Sequence, residues 1–222
     1  MDRTTKTLIA LGGAAAGVAA YQMYGRPRIR NWGSHAGEVR RSLPGDGLVG
    51  DPEVRTTRAV TIDAPPDAVW PWIVQMGQRR GGFYSYDGLE RFAGLGIENA
   101  DRIHPEWQDV EVGEKVYLSP SAPMIVVEIE PEEALVLFRE APVPGWDRPM
   151  RWSWAFVLQP VGTDRTRLLV RTRVSGQPDG LLVGLLETPM EVLHFVMERG
   201  MLQGVKERVE TADRSEASNI EE

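Results

Sequence analysis

The 222-residue sequence contains no cysteine. That absence excludes a disulfide framework, a thiol nucleophile and any metal site built on cysteine ligands. The sequence also has no excess of positive charge, because 25 lysine and arginine residues stand against 32 aspartate and glutamate residues, for a formal net charge of −7. A nucleic-acid-binding domain needs a basic face, so we expect no nucleic-acid partner.

The signature motifs of the common enzyme classes are missing as well. There is no GxSxG nucleophile motif, no P-loop, no HExxH zinc motif and no dinucleotide-binding fingerprint. His104 lies near Asp101 and Glu106, but a single loop rarely supplies a complete metal shell, and an ordinary surface loop is the preferred interpretation. We therefore predict no metal, no cofactor and no catalytic residue set.

Near the N-terminus, residues 7–24 carry no charge. This length reaches the lower limit of a helix that spans a bilayer, about 17–25 residues. Gly13 and Gly17 have the GxxxG spacing through which two membrane helices approach each other. We predict that residues 1–25 anchor the chain in a membrane, with self-association through these glycines and a cytoplasmic body. A cleaved signal peptide and a soluble alanine-rich helix are the alternatives.

Residues 26–54 are predicted to be a linker, since they contain the breakers Pro-Gly, Asp-Gly and Asp-Pro. Trp32 is the exception within this stretch. A lone aromatic residue in a linker usually packs back onto a domain, and we expect the same of Trp32.

The body of the chain opens with a strand, a proline break and a helix. Residues 55–63 alternate, with Val60 and Ile62 on one face of a half-buried strand. Pro65 and Pro66 end this strand because proline donates no ladder hydrogen bond. The helix that follows carries an apolar stripe at helical spacing, formed by Val69, Trp70, Ile73, Val74 and Met76. A double-glycine turn and a second short helix over 86–92 are expected next.

Five further strands are predicted, at residues 115–118, 124–130, 134–140, 150–158 and 167–175. Their short spacing is typical of an antiparallel meander. Arg151, Arg171 and Arg173 alternate with apolar residues, so we expect them on the outer face of the sheet.

A long helix over 180–210 closes the chain, and an acidic tail over 214–222 follows it. Thr188, Pro189 and Glu191 have the spacing of a capping box with proline at the first helical position. The apolar stripe of this helix is formed by Val192, Leu193, Val196, Met197, Met201, Leu202 and Val205.

This order of elements resembles the helix-grip fold of the START-like, or SRPBCC, superfamily, which includes lipid-transfer domains, birch-pollen-type allergens and polyketide cyclases. The opening RAVTIDAPPDAVWPWIVQMG and the closing TPMEVLHFVMERGMLQGVKERV carry the resemblance over residues 55–213. GGFYSYDGLE and IHPEWQDVEVGEKV resemble an uncharacterised bacterial branch of it. The resemblance implies an α+β fold in which a curved antiparallel sheet wraps around the C-terminal helix, here with an added N-terminal hydrophobic helix.

The resemblance also implies a ligand cavity between that helix and the inner face of the sheet. The side chains expected to line it are Trp70, Phe83, Tyr84, Tyr86, Trp107, Trp152, Trp154, Phe156, His194, Met197 and Met201. No catalytic role is carried over, since the superfamily shares no catalytic residue set.

Two functions from different classes follow. The favoured one is non-enzymatic binding or transport of a small hydrophobic ligand such as a lipid, a sterol or a polyketide-like molecule. The alternative is a cyclase- or aromatase-like enzyme that acts on a lipophilic substrate, with His194 as its acid or base. Two or more polar side chains converging on one point of the cavity, His194 among them, would favour the enzyme.

Overall fold

The computed structural model describes residues 16–17, 19–86, 98–143, 147–176 and 181–220, and of residues 181–187 and 215–220 it describes the backbone alone. The strands in this part of the chain are β1 (Val54–Ile62), β2 (Lys115–Ser119), β3 (Ala122–Glu130), β4 (Ala134–Ala141), β5 (Met150–Pro160) and β6 (Thr166–Ser175). The helices are α1 (Arg26–Arg30), α2 (Ala36–Arg40), α3 (Pro66–Val74) and α4 (Leu181–Ile220), with a π-helical turn at Tyr21–Gly25 and 3₁₀ turns at Asp46–Leu48 and Pro105–Trp107.

The described strands form one antiparallel sheet in the order β1-β6-β5-β4-β3-β2. Strands β2 to β6 pair with their neighbours in sequence, whereas β1 pairs with the last strand, β6. The outer edge of β1 is covered by the chain that precedes it, and the Ala59 N–H donates to the Trp32 carbonyl oxygen at 3.1 Å. This contact occupies part of an edge that would otherwise present unpaired backbone groups.

The main core lies between the inner face of the sheet and the long helix α4. Met201, Leu202 and Val205 of α4 are buried in one cluster with Phe156 and Val170 of the sheet. Each buried side chain of this size contributes about 1.5–3 kcal/mol relative to full exposure. A curved antiparallel sheet that packs around one long C-terminal helix is a helix-grip arrangement, and the predicted α+β fold is confirmed.

The first half of α4 differs from its prediction. The helix begins at Leu181 and runs through Pro189, so no helix start with a capping box forms at Thr188. Val192 and Leu193 of the predicted stripe are exposed, at 40% and 43%. Of the residues in this predicted stripe, Met201, Leu202 and Val205 are buried.

The helix α3 buries Val69, Trp72, Ile73 and Val74, whereas Trp70 of the predicted stripe is only partly buried. The double-glycine turn is present, with an isolated bridge between Gly77 and Gly82. Residues 87–92 of the predicted second helix lie outside the described residues.

The predicted linker packs across the outer face of the sheet. Arg171 and Arg173 lie on that face, as expected, but both are buried there. Arg171 donates to the Arg41 carbonyl oxygen at 2.9 Å and to Asp46 Oδ2 at 2.7 Å. Arg173 Nε donates to the Val49 carbonyl oxygen at 2.8 Å. Two strand arginines therefore hold the preceding segment as a third layer over β1 and β6.

The structure corrects the prediction of a membrane-anchoring helix. Among the described residues, no helix has both the length and the apolar character that crossing a bilayer requires. Alanine and glycine supply half of residues 7–24, which makes the stretch only weakly hydrophobic. Residues 1–15, which include Gly13 of the predicted helix contact, lie outside the described residues.

Candidate functional site

A cavity of about 290 Å³ opens between the first half of α4 and the inner face of β1, β5 and β6. The described residues that line it are Val54, Met150, Trp152, Thr172, Val174, Met190, Glu191 and His194. Five of these eight side chains are apolar, and the polar ones all lie on α4 or on β6. The cavity thus combines an apolar wall with a few polar groups, which is typical of small-molecule sites.

A buried ion pair lies next to this cavity. The Arg58 side chain of β1 is 0% exposed, and its Nη1 donates to Oε2 of Glu198 on α4, whose side chain is 2% exposed. Arg58 Nε donates to the Ile29 carbonyl oxygen at 2.9 Å, and its guanidinium lies 5.4 Å from the centre of the Phe195 ring. Burying two charges is costly, so each needs the other and its remaining hydrogen bonds.

The second oxygen of Glu198 is also held. Oε1 accepts from Trp154 Nε1 at 3.0 Å and from Thr172 Oγ1 at 3.3 Å. Trp154 and Thr172 are opposite each other in the β5–β6 register, so the sheet presents both donors to one point. Glu198 therefore receives three donors, from β1, β5 and β6, and it fixes α4 against the sheet.

His194 joins this group at the cavity wall. Its Nδ1 lies 3.3 Å from Arg58 Nη1, and its Nε2 lies 3.9 Å from Glu198 Oε1. A guanidinium only donates hydrogen bonds, so Nδ1 must accept and the proton of a neutral imidazole resides on Nε2. The side chain is 35% exposed. In this arrangement Nδ1 accepts from Arg58, and the Nε2–H lies near the Glu198 carboxylate but beyond hydrogen-bond distance.

The surroundings of His194 favour its neutral form by lowering its pKa. Burial among protein atoms lowers the pKa of His194, and the positive charge of Arg58 lowers it further. The negative charges of Glu198 and Glu191 act in the opposite direction. Because burial is the largest of these effects, the net change in the pKa is downward.

Glu191 ties the other end of the cavity to the N-terminal segment. Arg26 Nε donates to Glu191 Oε2 at 2.7 Å, and Arg30 Nε donates to Oε1. The Glu191 side chain is only 7% exposed. Residues 191, 194 and 198 recur at helical spacing on one face of α4, so a single face of the helix presents two paired carboxylates and one imidazole.

Of the eleven side chains predicted to line the cavity, Trp152 and His194 are among the described lining residues. Trp154 and Phe156 lie deeper in the core, with ring centres 4.6 Å apart. The ring of Phe83 packs near Trp154, with ring centres 6.1 Å apart. Met201 is fully inside the core.

The other predicted side chains are not among the described residues that line the cavity. The Tyr84 hydroxyl accepts from Gln75 at 2.8 Å and donates to the Trp72 carbonyl oxygen, and burial raises the pKa of this phenol. Tyr86 is 42% exposed. Trp107 stacks on His104 with ring centres 4.3 Å apart, and the Met197 carbonyl oxygen accepts from Ser85. Trp70 is partly buried on α3.

Sequence reasoning missed Arg58, Glu198, Thr172 and Glu191 as parts of one site. A signal was present for two of them. Arg58 lies two and four residues before Val60 and Ile62. Alternate residues of a strand point to the same face, so Arg58 lies with them on the inner face of β1. Glu198 follows His194 by four residues, so both occupy the same face of α4. Charged residues on two faces that must pack together indicate a buried pair.

The described residues contain no group of three or more His, Asp or Glu side chains able to hold a metal ion. Of the cluster considered around His104, Asp101 and Glu106, the described residues show one contact, at 3.2 Å between His104 Nδ1 and the exposed Glu106. The loop is therefore better described as a surface turn.

No family model matches the sequence, and no curated protein matches it. Among solved structures, a hypothetical protein of Helicobacter pylori is similar with a TM-score of 0.45 and 14% identity, over 74% of this chain and 93% of that chain. A Mesorhizobium loti protein has a TM-score of 0.37 and 18% identity, over 67% and 96%. A putative protein in the dynemicin biosynthetic locus has a TM-score of 0.41 and 15% identity, over 68% and 47%. Membership of the START-like superfamily stays a prediction, while the helix-grip arrangement is observed.

Proposed function

We propose that this protein binds a small hydrophobic ligand in the cavity between α4 and the sheet. The observation that carries the proposal is the apolar lining of that cavity by Val54, Met150, Trp152, Val174 and Met190. Transfer of apolar ligand surface from water into such a lining is favourable by about 25 cal/mol per Å². The volume of about 290 Å³ is close to the lower end of the ligand-pocket range, which favours a compact ligand or one short chain.

The site is also built to keep its shape without a ligand. Glu198 is fixed by donors from three strands, and Glu191 is fixed by Arg26 and Arg30. A cavity with fixed walls loses little conformational entropy when a ligand binds. Preorganisation of this kind supports binding as the primary activity.

Native mass spectrometry of the full chain after exposure to a lipid extract tests the proposal. We expect a reproducible bound lipophile on the wild-type protein and none on Val174→Trp, because the larger side chain fills the cavity. Val112→Trp is the matched control, since Val112 is 61% exposed and lies outside the cavity. A wild-type protein that stays free of ligand, or equal loading of both variants, would contradict the proposal.

One observation favours an enzyme as the second candidate function. Arg58, Glu198 and His194 converge beside the cavity, and a convergence of polar side chains that includes His194 is the arrangement expected of an enzyme. With its proton on Nε2, His194 would act as an acid that polarises the carbonyl oxygen of a lipophilic substrate.

Deuterium exchange at the α-carbon of a medium-chain ketone separates the two functions. An enzyme would catalyse exchange in D₂O, because hydrogen bonding of His194 to the carbonyl oxygen lowers the barrier to removal of the α-proton by solvent. His194→Phe, which has no N–H donor, would slow the exchange. A pure binding protein would bind the ketone without changing its exchange rate. Equal rates with and without the wild-type protein would remove the enzyme from consideration.

A further inference from the structure

We propose that residues 21–33, which we call the strap, latch α4 over the cavity and limit how fast a ligand enters and leaves. This inference rests on the proposed function, because it concerns access to the same cavity. It follows from where the strap is fixed, where it contacts α4 and where the cavity reaches solvent.

One end of the strap is fixed to the edge of the sheet. The Ala59 N–H of β1 donates to the Trp32 carbonyl oxygen at 3.1 Å, and Arg167 of β6 donates to the Gly33 carbonyl oxygen. Gly33 has a φ of +75°, and a Cβ atom there would lie 2.0 Å from the Ala59 carbonyl oxygen. A side chain at this position would force the strap away from β1. Trp32 and Gly33 therefore anchor the strap to the sheet.

The other end of the strap contacts α4 at the cavity wall. Arg26 Nε donates to Glu191 Oε2 at 2.7 Å, and Arg30 Nε donates to Glu191 Oε1. The Phe195 ring, one helical turn further along α4, packs edge-on against Trp32 with ring centres 6.5 Å apart. Residues four apart in a helix share a face. The strap thus holds one face of α4, with its ionic contacts at the residue that lines the cavity.

These ionic contacts lie where the cavity reaches solvent. Met190 is the most exposed of the described residues that line the cavity, at 60%. Glu191 is the next residue, lines the same cavity and accepts from both strap arginines. Breaking these two contacts would release the wall of the cavity at its mouth.

The first half of α4 is packed less firmly than the second half. Met201, Leu202 and Val205 belong to the buried core, whereas none of the described residues at 188–197 does. A segment that buries little apolar surface loses little free energy when it moves into solvent. The position of this half therefore depends on polar contacts, among them those that the strap makes to Glu191.

Stopped-flow mixing of the full chain with N-phenyl-1-naphthylamine measures the rates of entry and exit. This uncharged dye fluoresces in apolar surroundings. We expect Glu191→Gln to raise both rates by about fivefold or more, because its neutral amide forms weaker contacts with the strap arginines. The affinity changes less than the rates do, because an open latch speeds both directions.

Glu210→Gln is the matched control for loss of a carboxylate. Glu210 lies on the same helix and accepts from Lys206 and from the Asp63 N–H, beyond the end of β1 opposite to Val54 of the cavity. We expect this variant to leave the entry and exit rates of the dye unchanged.

The salt dependence of the rates separates the latch from a change in the cavity lining. The side chains of Arg26 and Arg30 are 18% and 20% exposed, so dissolved salt screens their contacts with Glu191. We expect the wild-type rates to rise with salt concentration and to approach those of Glu191→Gln, whose own rates change less. Equal salt dependence of the two proteins would contradict an ionic latch.

Hydrogen exchange of the ligand-free protein provides a measurement that needs no dye. We expect the backbone amides of residues 190–197 to exchange faster in Glu191→Gln than in the wild-type protein, while those of residues 201–209 exchange at equal rates. A uniform increase along the whole chain would show global destabilisation and would overturn the latch.

The outcomes separate the latch from the proposed function. If the dye binds and Glu191→Gln changes neither its rates nor the exchange of residues 190–197, the latch is overturned while ligand binding stands. If neither the dye nor a lipid extract loads the wild-type protein, the proposed function fails. Faster exchange confined to residues 190–197 would then still support the hold of the strap on α4, and unchanged exchange would overturn it as well.

Discussion

At the scale of single residues, the pair between Arg58 and Glu198 connects the first strand to the last helix. Both side chains are almost completely buried. Removing one member leaves the other charge buried without its partner, which costs about 3–5 kcal/mol. We expect Arg58→Met to lower the free energy of unfolding by an amount of that order, measured by urea denaturation.

The exposed pair of Arg148 with Glu53 is the matched control, at 57% and 39% side-chain exposure. Surface pairs of this kind contribute about 0–1 kcal/mol, so Arg148→Met should change the stability little. We also expect Arg58→Met combined with Glu198→Leu to be less destabilising than Arg58→Met alone. Equal losses for Arg58→Met and Arg148→Met would show that the buried pair has no special role.

His194 gives a second prediction at this scale. Its pKa is lowered from its ordinary value of 6.5, chiefly by burial, so the unfolded chain binds more protons at this residue than the folded chain does. The contribution of His194 to the free energy of unfolding is fully present above about pH 6.5 and is lost as the pH falls below that value. Arg58 from β1 and the carboxylates Glu191 and Glu198 from α4 face the ring.

Unfolding free energies measured across mildly acidic pH check this prediction. We expect the wild-type protein to lose more stability than His194→Phe as the pH falls below about 6.5. Glu38 and Glu210 also have lowered pKa values, but their effect on stability appears only as the pH falls below their ordinary pKa of 4.5. Both residues are also present in the wild-type protein and in the variant. Parallel pH profiles would mean that His194 does not titrate as described.

The residues of the site could be predicted only in part. His194 and Trp152 were identified because aromatic and ionisable side chains were expected between α4 and the sheet. Arg58 was missed because an arginine in a strand is usually solvated. Its place on the inner face is apparent only when the alternation of β1 is considered together with the position of Glu198 on α4. A buried charge pair depends on two distant segments, so neither segment shows it alone.

At the scale of elements, the close approach of α4 to the loop after α3 depends on Gly204. A Cβ atom at this position would lie 1.9 Å from the Tyr84 carbonyl oxygen. Such a distance requires the helix or the loop to move, and overpacking of this kind costs about 1–3 kcal/mol. We expect Gly204→Ala to lower the midpoint of urea denaturation.

Gly37→Ala is the control, because Gly37 lies within α2 and a Cβ atom there would meet nothing within 4 Å. Alanine has the higher helix propensity by about 1 kcal/mol, so this variant should be neutral or slightly stabilising. If Gly204→Ala is as stable as Gly37→Ala, the helix does not pack as closely as the structure shows.

The strands could be predicted well because period-two alternation and hairpin turns are local signals. The strand at 167–175 corresponds to Thr166–Ser175, and that at 134–140 corresponds to Ala134–Ala141. The helix predicted over 180–210 begins in the structure at Leu181, whereas the helix start indicated at Thr188 is wrong. Thr188, Pro189 and Glu191 fit a capping box, but the helix is already formed at Leu181. A local cap pattern does not reveal whether the preceding residues are helical.

At the scale of the whole molecule, the segment before β1 is part of the folded unit. Arg171 and Arg173 donate to carbonyl oxygens of Arg41 and Val49, and Leu43 packs with Leu169 in a separate apolar cluster. We expect a fragment of residues 55–213 to be much less stable than the full chain, because both arginines lose these partners. Circular dichroism with thermal denaturation of both proteins measures the difference.

The interpretation of residues 26–54 as a linker was reasonable from composition, since the stretch is rich in turn residues. Its packing onto the sheet depends on arginines that lie more than a hundred positions later. A fragment of residues 55–213 that unfolds cooperatively at the temperature of the full chain would show that the segment is dispensable.

The most direct test of the central claim is a titration followed by the indole N–H signals of the tryptophans in ¹H–¹⁵N spectra, with decanoate as the ligand. Trp152 lines the cavity, whereas Trp107 stacks on His104 away from it. The account predicts that the Trp152 signal shifts in a saturable way while the Trp107 signal stays in place. A saturable shift of Trp107 with no change at Trp152 would contradict the claim that the ligand binds between α4 and the sheet.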